Sequence, residues 1–162
     1  MKGKIHKASI LLLFGGLILG QAADWPTYQH DYSRSGVAGE SLLTPFSDGW
    51  VYRSKHEPRP AWRGEAKWDG YNKVYDMKSR QVFDYAFHTV IVDGRLYFGS
   101  SADDKVYCLD AATGKQQWVF FTEGPVRLAP TVVKGRLYVG SDDGHAYCLD
   151  AVTGKLIWQT RV

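Results

Sequence analysis

The feature that most constrains this chain is an internal repeat. Residues 93–118 read DGRLYFGSSADDKVYCLDAATGKQQW, and residues 134–158 read KGRLYVGSDDGHAYCLDAVTGKLIW. Gly94-Arg95-Leu96-Tyr97 recurs 41 residues later as Gly135-Arg136-Leu137-Tyr138. After one deleted residue, Tyr107-Cys108-Leu109-Asp110 recurs 40 residues later as Tyr147-Cys148-Leu149-Asp150. Each copy ends on a Thr-Gly-Lys turn followed by a tryptophan, Trp118 and Trp158. Glycine recurs at intervals of 4 to 15 residues from Gly94 to Gly154, which argues against helices. An all-β period of about 40 residues marks the blades of a β-propeller.

The repeat parses into four short strands. In the second copy they are Pro130 to Val133, Arg136 to Gly140, His145 to Asp150 and Leu156 to Gln159. The turns between them are Lys134-Gly135, Ser141-Asp142-Asp143-Gly144 and Ala151 to Lys155, where Asp caps backbone groups and Gly supplies positive φ. His88 to Val92 aligns with Ala129 to Val133, so it is the first strand of the preceding blade. The expected fold is therefore all-β, a partial propeller of four-stranded blades at 87–121 and 128–162. Upstream, Gly49-Trp50-Val51-Tyr52 reads as the last strand of an earlier blade, inside an entry segment at 23–53. Residues 54–86 show no repeat and are rich in aromatic and basic residues, so they read as an insertion between blades.

The N-terminus reads as a secretory signal peptide over residues 1–22. Lys2, Lys4 and Lys7 form a positive n-region, Ala8 to Leu19 is an apolar stretch, and Gly20-Gln21-Ala22 offers small residues for cleavage. Twelve apolar residues fall short of the ~20 that span a bilayer. The expectation is no stable membrane span after cleavage, and a periplasmic or secreted protein. The net charge of +3 is partly that of the leader, which leaves no concentrated basic face for nucleic acid.

The segment Cys108-x-Asp110-x-x-Thr113-Gly114-Lys115-x-x-Trp118, with its copy Cys148-x-Asp150-x-x-Thr153-Gly154-Lys155-x-x-Trp158, resembles the tryptophan-docking repeat of the PQQ-type (quinoprotein-like) β-propellers. That family spans quinoprotein alcohol dehydrogenases and cofactor-free relatives of the outer-membrane assembly machinery. Asp24-Trp25-Pro26-Thr27-Tyr28, with Asp31, Arg34, Ser35 and Gly36, resembles the entry segment of such exported proteins. The family pattern has Ala where this chain has Cys. The motif residues suit structural roles: Gly allows the turn, Asp and Thr satisfy its backbone, and Trp stacks on the neighbouring blade. A small residue is needed where the Trp lands, and Cys behaves as a small hydrophobe. Cys108 and Cys148 sit at equivalent points of adjacent blades, beyond the ~7 Å reach of a disulfide, and are expected to be free buried thiols.

Residues with chemistry to offer are few. Arg127 lies just ahead of the first strand of the second blade and His88 at the start of that of the first, near the mouth of the central channel, where a ligand would sit. For both, a surface or inter-blade salt bridge is the favoured alternative. Asp103-Asp104 and Asp142-Asp143 read as turn caps rather than a Ca²⁺ site. Trp62, Trp68, Tyr71 and Tyr75 would serve a glycan or peptide surface, or pin the insertion. Catalytic quinoproteins carry a vicinal Cys pair and a set of Ca²⁺ ligands, neither of which is matched here. No catalytic, metal or cofactor residues are therefore assigned, and no cofactor is expected, with PQQ in a full-length protein as the alternative.

The leading expectation is an exported, non-catalytic propeller segment acting as an interaction scaffold or ligand platform. Its partners would be proteins, further blades or a glycan. The alternatives are the N-terminal part of a PQQ-dependent dehydrogenase and a carbohydrate-binding module. Closed propellers have 4–8 blades, and the 162 residues hold two clear ones. The chain is thus expected to be an N-terminal fragment of a longer protein.

Overall fold

A computed structural model describes residues 23–41, 44–45, 47–61 and 86–162. The leader at 1–22 and the aromatic residues Trp62, Trp68, Tyr71 and Tyr75 lie outside them. The described chain holds eight strands and no helix: β1 (Thr89–Val92), β2 (Arg95–Ser100), β3 (Lys105–Asp110), β4 (Gln116–Phe121), β5 (Thr131–Val133), β6 (Arg136–Gly140), β7 (His145–Asp150) and β8 (Leu156–Arg161). They form two four-stranded antiparallel sheets in the orders β1-β2-β3-β4 and β5-β6-β7-β8. The sheets approach one another through β1 and β5, so these are the inner strands and the sheets are propeller blades. No helix among the described residues is long and apolar enough to cross a membrane.

Local chemistry sets the strand ends. Asp93-Gly94 and Lys134-Gly135 have positive φ at both positions (49° and 69°, 48° and 72°). Those are the values of a two-residue type I′ turn, whose twist matches that of the flanking strands. Val92 therefore pairs with Arg95, and Val133 with Arg136. At the far end of β3, Asp110 Oδ1 accepts from the Thr113 amide (2.8 Å) and hydroxyl (2.7 Å). Asp150 does the same with Thr153, at 2.7 and 2.8 Å. Each turn closes with the glycine amide donating to the Asp carbonyl at 2.8 Å, for Gly114 and for Gly154.

Strand alternation gives each blade two apolar faces. On the first blade, Val90, Tyr97, Val106 and Cys108 pack with Val132, Leu137, Val139, Tyr147 and Leu149 of the second. The opposite face, with Phe98, Tyr107 and Leu109, packs against Trp50 and Phe87. Phe98 and Tyr107 stack with ring centroids 5.0 Å apart. Val90, Cys108, Leu137, Leu149 and Cys148 are fully buried. Burial of a side chain such as Leu137 contributes about 1.5–3 kcal/mol.

The tryptophans join one blade to the next, and they land on glycine rather than on cysteine. Trp118 is the cross-strand neighbour of Cys108 within its own sheet. Its ring reaches the second blade, where a Cβ built on Gly154 would lie 2.5 Å from Trp118 Cδ2. The indole Nε1 donates to the Ala151 carbonyl at 3.1 Å. Trp50 repeats the contact one blade earlier, 2.6 Å from a Cβ at Gly114, with Nε1 donating to the Ala111 carbonyl at 3.0 Å. Residues 49–52 form no regular strand, which corrects the strand expected there. Trp50 nonetheless takes the place of a blade's terminal tryptophan. Trp158 is 40% exposed.

The entry segment runs along the inner strands. Trp25 and Ile91 exchange backbone bonds at 2.7 and 3.0 Å, and the Val132 amide donates to the Pro26 carbonyl at 2.8 Å. Thr27 and Thr131 hydroxyls share a hydrogen bond at 2.9 Å. Tyr32 donates to the Val132 carbonyl at 2.8 Å. One short stretch thus occupies the free edge of β1 and then that of β5. Bonding to both removes an unpaired edge that would otherwise invite association.

Glycine substitutions separate the docking contact from simple turn strain. Gly154 and Gly135 both have φ near +70°, but only Gly154 has a ring over its Cβ position. Gly135→Ala is expected to cost about 1–2 kcal/mol from the left-handed backbone alone. Gly154→Ala adds overpacking of about 1–3 kcal/mol. Urea unfolding of the two variants measures the difference.

Candidate functional site

In this antiparallel order the start of β1 and β5, the β2–β3 and β6–β7 turns and the linker after β4 all lie at one end of the blades. That end carries Arg127, His88 and the paired aspartates. Arg127 Nε donates to Asp142 Oδ2 at 2.6 Å, with the Arg127 side chain 11% exposed. Its guanidinium also donates to the Arg59 carbonyl, and the Arg59 amide donates to Ser101 Oγ at 3.0 Å. Arg127 therefore ties the linker, the second blade and the start of the 54–86 segment together.

His88 is exposed and has different neighbours. It meets the Tyr28 ring edge-on, with centroids 6.2 Å apart. It lines a cavity of about 310 Å³ with Thr27, Tyr28, Arg34, Leu128, Ala129 and Thr131. Arg127 is not among the lining residues, so the two sequence candidates are not brought into one site. Arg34 and Tyr28 were not singled out by sequence reasoning. They lie in a non-repeating segment and appear in the sequence reading only within the entry-segment pattern.

The aspartates of the turns are engaged by the fold. Burial pushes the Asp143 carboxyl upward, but bonds to it outweigh that and hold it below the ordinary carboxylate value. Tyr147 donates to its Oδ2 at 2.6 Å and the His145 amide to its Oδ1 at 2.8 Å. The Glu123 amide, from the linker, donates to Oδ2 at 3.0 Å. Tyr147 is correspondingly pushed up to about 12, by its burial first and then by the carboxylate. Asp103 repeats the pattern: burial opposes ionisation, and bonds from Ser100, Tyr107 and Lys105 overcome it. Lys105 Nζ lies 2.9 Å from Asp103 Oδ2. The carboxyls of Asp110 and Asp150 are lowered chiefly by their threonine hydroxyls. Among the described residues no three His, Cys, Asp or Glu side chains gather to hold a metal ion.

A PQQ-like family model, described as outer membrane protein assembly factor BamB, matches residues 47–162. The chain belongs to this family. Solved structures resemble this PQQ-like chain over different extents. Quinohemoprotein alcohol dehydrogenase from Comamonas testosteroni is 24% identical, with a TM-score of 0.57 over 85% of this chain and 19% of its own. BamB from Moraxella catarrhalis is 23% identical, with a TM-score of 0.40 over 43% of this chain and 21% of its own. The chain thus spans about a fifth of the length of either structure. Comparison with curated proteins gave no match.

Cys108 and Cys148 of this PQQ-like chain are both free and buried. Burial pushes the Cys108 thiol up to about 11, away from the thiolate needed for nucleophilic or metal chemistry. Both thiols are expected to resist a thiol-reactive dye in the native protein and to be labelled together on unfolding. The Asp143 result carries a pH dependence. A carboxyl lowered in the folded state stabilises it fully above the unfolded pKa of ~3.9, and the contribution is lost as pH falls through the folded value. Asp143→Asn is expected to cost about 2 kcal/mol at pH 7, by analogy with other bonds to charged groups. It should also flatten stability against pH below about 4, as read by denaturant unfolding at a series of pH values.

Proposed function

We propose that the chain is part of an exported PQQ-like β-propeller that acts as a non-catalytic interaction scaffold or ligand-binding platform. The observation that carries this reading is the use made of polar residues at the channel end. Arg127 is paired with Asp142, Asp143 holds the linker and its own turn, and Asp103 is bonded by Tyr107 and Lys105. These groups hold turns and the linker in place, and catalysis requires residues free to engage a reactant. The family description, an outer-membrane assembly factor, supports protein partners and a periplasmic or secreted location. The leader-like residues 1–22 support the same location. A shared fold does not by itself transfer the dehydrogenase activity of the alcohol dehydrogenase neighbour.

No bound cofactor is expected. The full chain is to be mixed with PQQ and Ca²⁺ and followed for quinone absorbance and alcohol-dependent dye reduction. The expected outcome is no change in either. Stoichiometric quinone binding with dye reduction would replace the scaffold by the dehydrogenase reading.

A further inference from the structure

The cavity beside His88 is lined by donors and has no acid. Its polar groups are Arg34, His88, Tyr28, Thr27 and Thr131, and its apolar wall is Leu128 and Ala129. Arg34 Cζ lies over the Tyr28 ring, 6.0 Å from the centroid, and its guanidinium has no hydrogen bond or ion pair among the described residues. Thr27 and Thr131 share one hydroxyl hydrogen at 2.9 Å. Whichever of the two accepts keeps a hydrogen of its own to donate. Thr27 is 6% exposed.

The segment bearing Arg34 is held in place. Asp31 accepts from the Ser35 amide at 3.0 Å and from its hydroxyl at 2.6 Å. Arg34 itself takes a left-handed backbone, φ 57°, which costs a non-glycine residue about 1–2 kcal/mol. The turn therefore presents the guanidinium at the cavity against its own backbone preference. Across the cavity Leu128 is 74% exposed, an apolar side chain at the rim with room beside it.

We propose that this cavity binds a small organic carboxylate with an apolar body. The anion would take its hydrogen bonds from Arg34, His88 and the spare threonine hydrogen. The body would lie between the Tyr28 ring and Leu128. A guanidinium matches a carboxylate in two parallel bonds, and a cavity of about 310 Å³ is at the small end of ligand pockets. The site is formed by the entry segment with the leading ends of β1 and β5. It goes beyond the scaffold reading and does not depend on it.

The test uses benzoate as probe and benzamide as its neutral isostere, with binding to the full chain followed by NMR chemical-shift titration. Benzoate is expected to bind at least tenfold more tightly than benzamide. Arg34→Gln should weaken benzoate at least tenfold and benzamide little. Leu128→Ala should weaken both alike. Thermal unfolding of each variant shows that the fold is intact, and Arg34→Lys should recover part of the affinity if Arg34→Gln loses it through charge. Equal affinity for the two probes, no saturable benzoate binding, or an Arg34→Gln protein that binds benzoate as before would each overturn the proposal.

Discussion

A tryptophan ring lying on a glycine of the next blade is the contact on which this structure depends. Four other features of the repeat serve it. The glycine must lack a Cβ, because one would sit 2.5 Å from the Trp118 ring. It must also adopt φ near +70°, which glycine does without strain. The Asp150 carboxylate and the Thr153 side chain hold the turn in that shape. The buried Ala151 carbonyl accepts the indole hydrogen at 3.1 Å, and it also accepts from Tyr97 at 3.1 Å. The motif is thus half of a joint in each blade. The other half belongs to the blade before it.

The cysteines follow from the same arrangement. Cys108 lies between Tyr97 on β2 and Trp118 on β4. It is fully buried in the core cluster against which Trp118 packs. A thiol raised by burial is inert in such a place. Its chemistry is volume.

The blades were readable from sequence because each depends on neighbours close in the chain. Residues two apart share a face, turn residues carry their φ preferences, and the copy at an offset of 41 tests each assignment twice. Strand β6 and strand β7 fall where the repeat places them. What the sequence did not show was through-space partnership. That Trp118 meets Gly154 and not Cys148 is a relation between blades, and no local preference encodes it. The same holds for Trp50, which docks without being in a strand. For Arg127 a surface or inter-blade salt bridge is the favoured alternative to a ligand role, but its partner, Asp142, is not one that the sequence pointed to. The Tyr28–His88–Arg34 cavity joins residues of a non-repeating segment to the inner strands, so periodicity could not reveal it.

The position of the entry segment orders events in time. Thr27 bonds to Thr131, 104 residues further along, and Tyr32 bonds to Val132, 100 residues further along. Each hairpin can form as soon as it exists, since its contacts are local. The entry segment cannot complete its own bonds until β5 is in place, and such distant contacts form slowly. The entry-segment residues are therefore among the last to find their partners. Until they do, the inner edges of both blades stand open. The entry segment is a latch that closes behind the blades it joins.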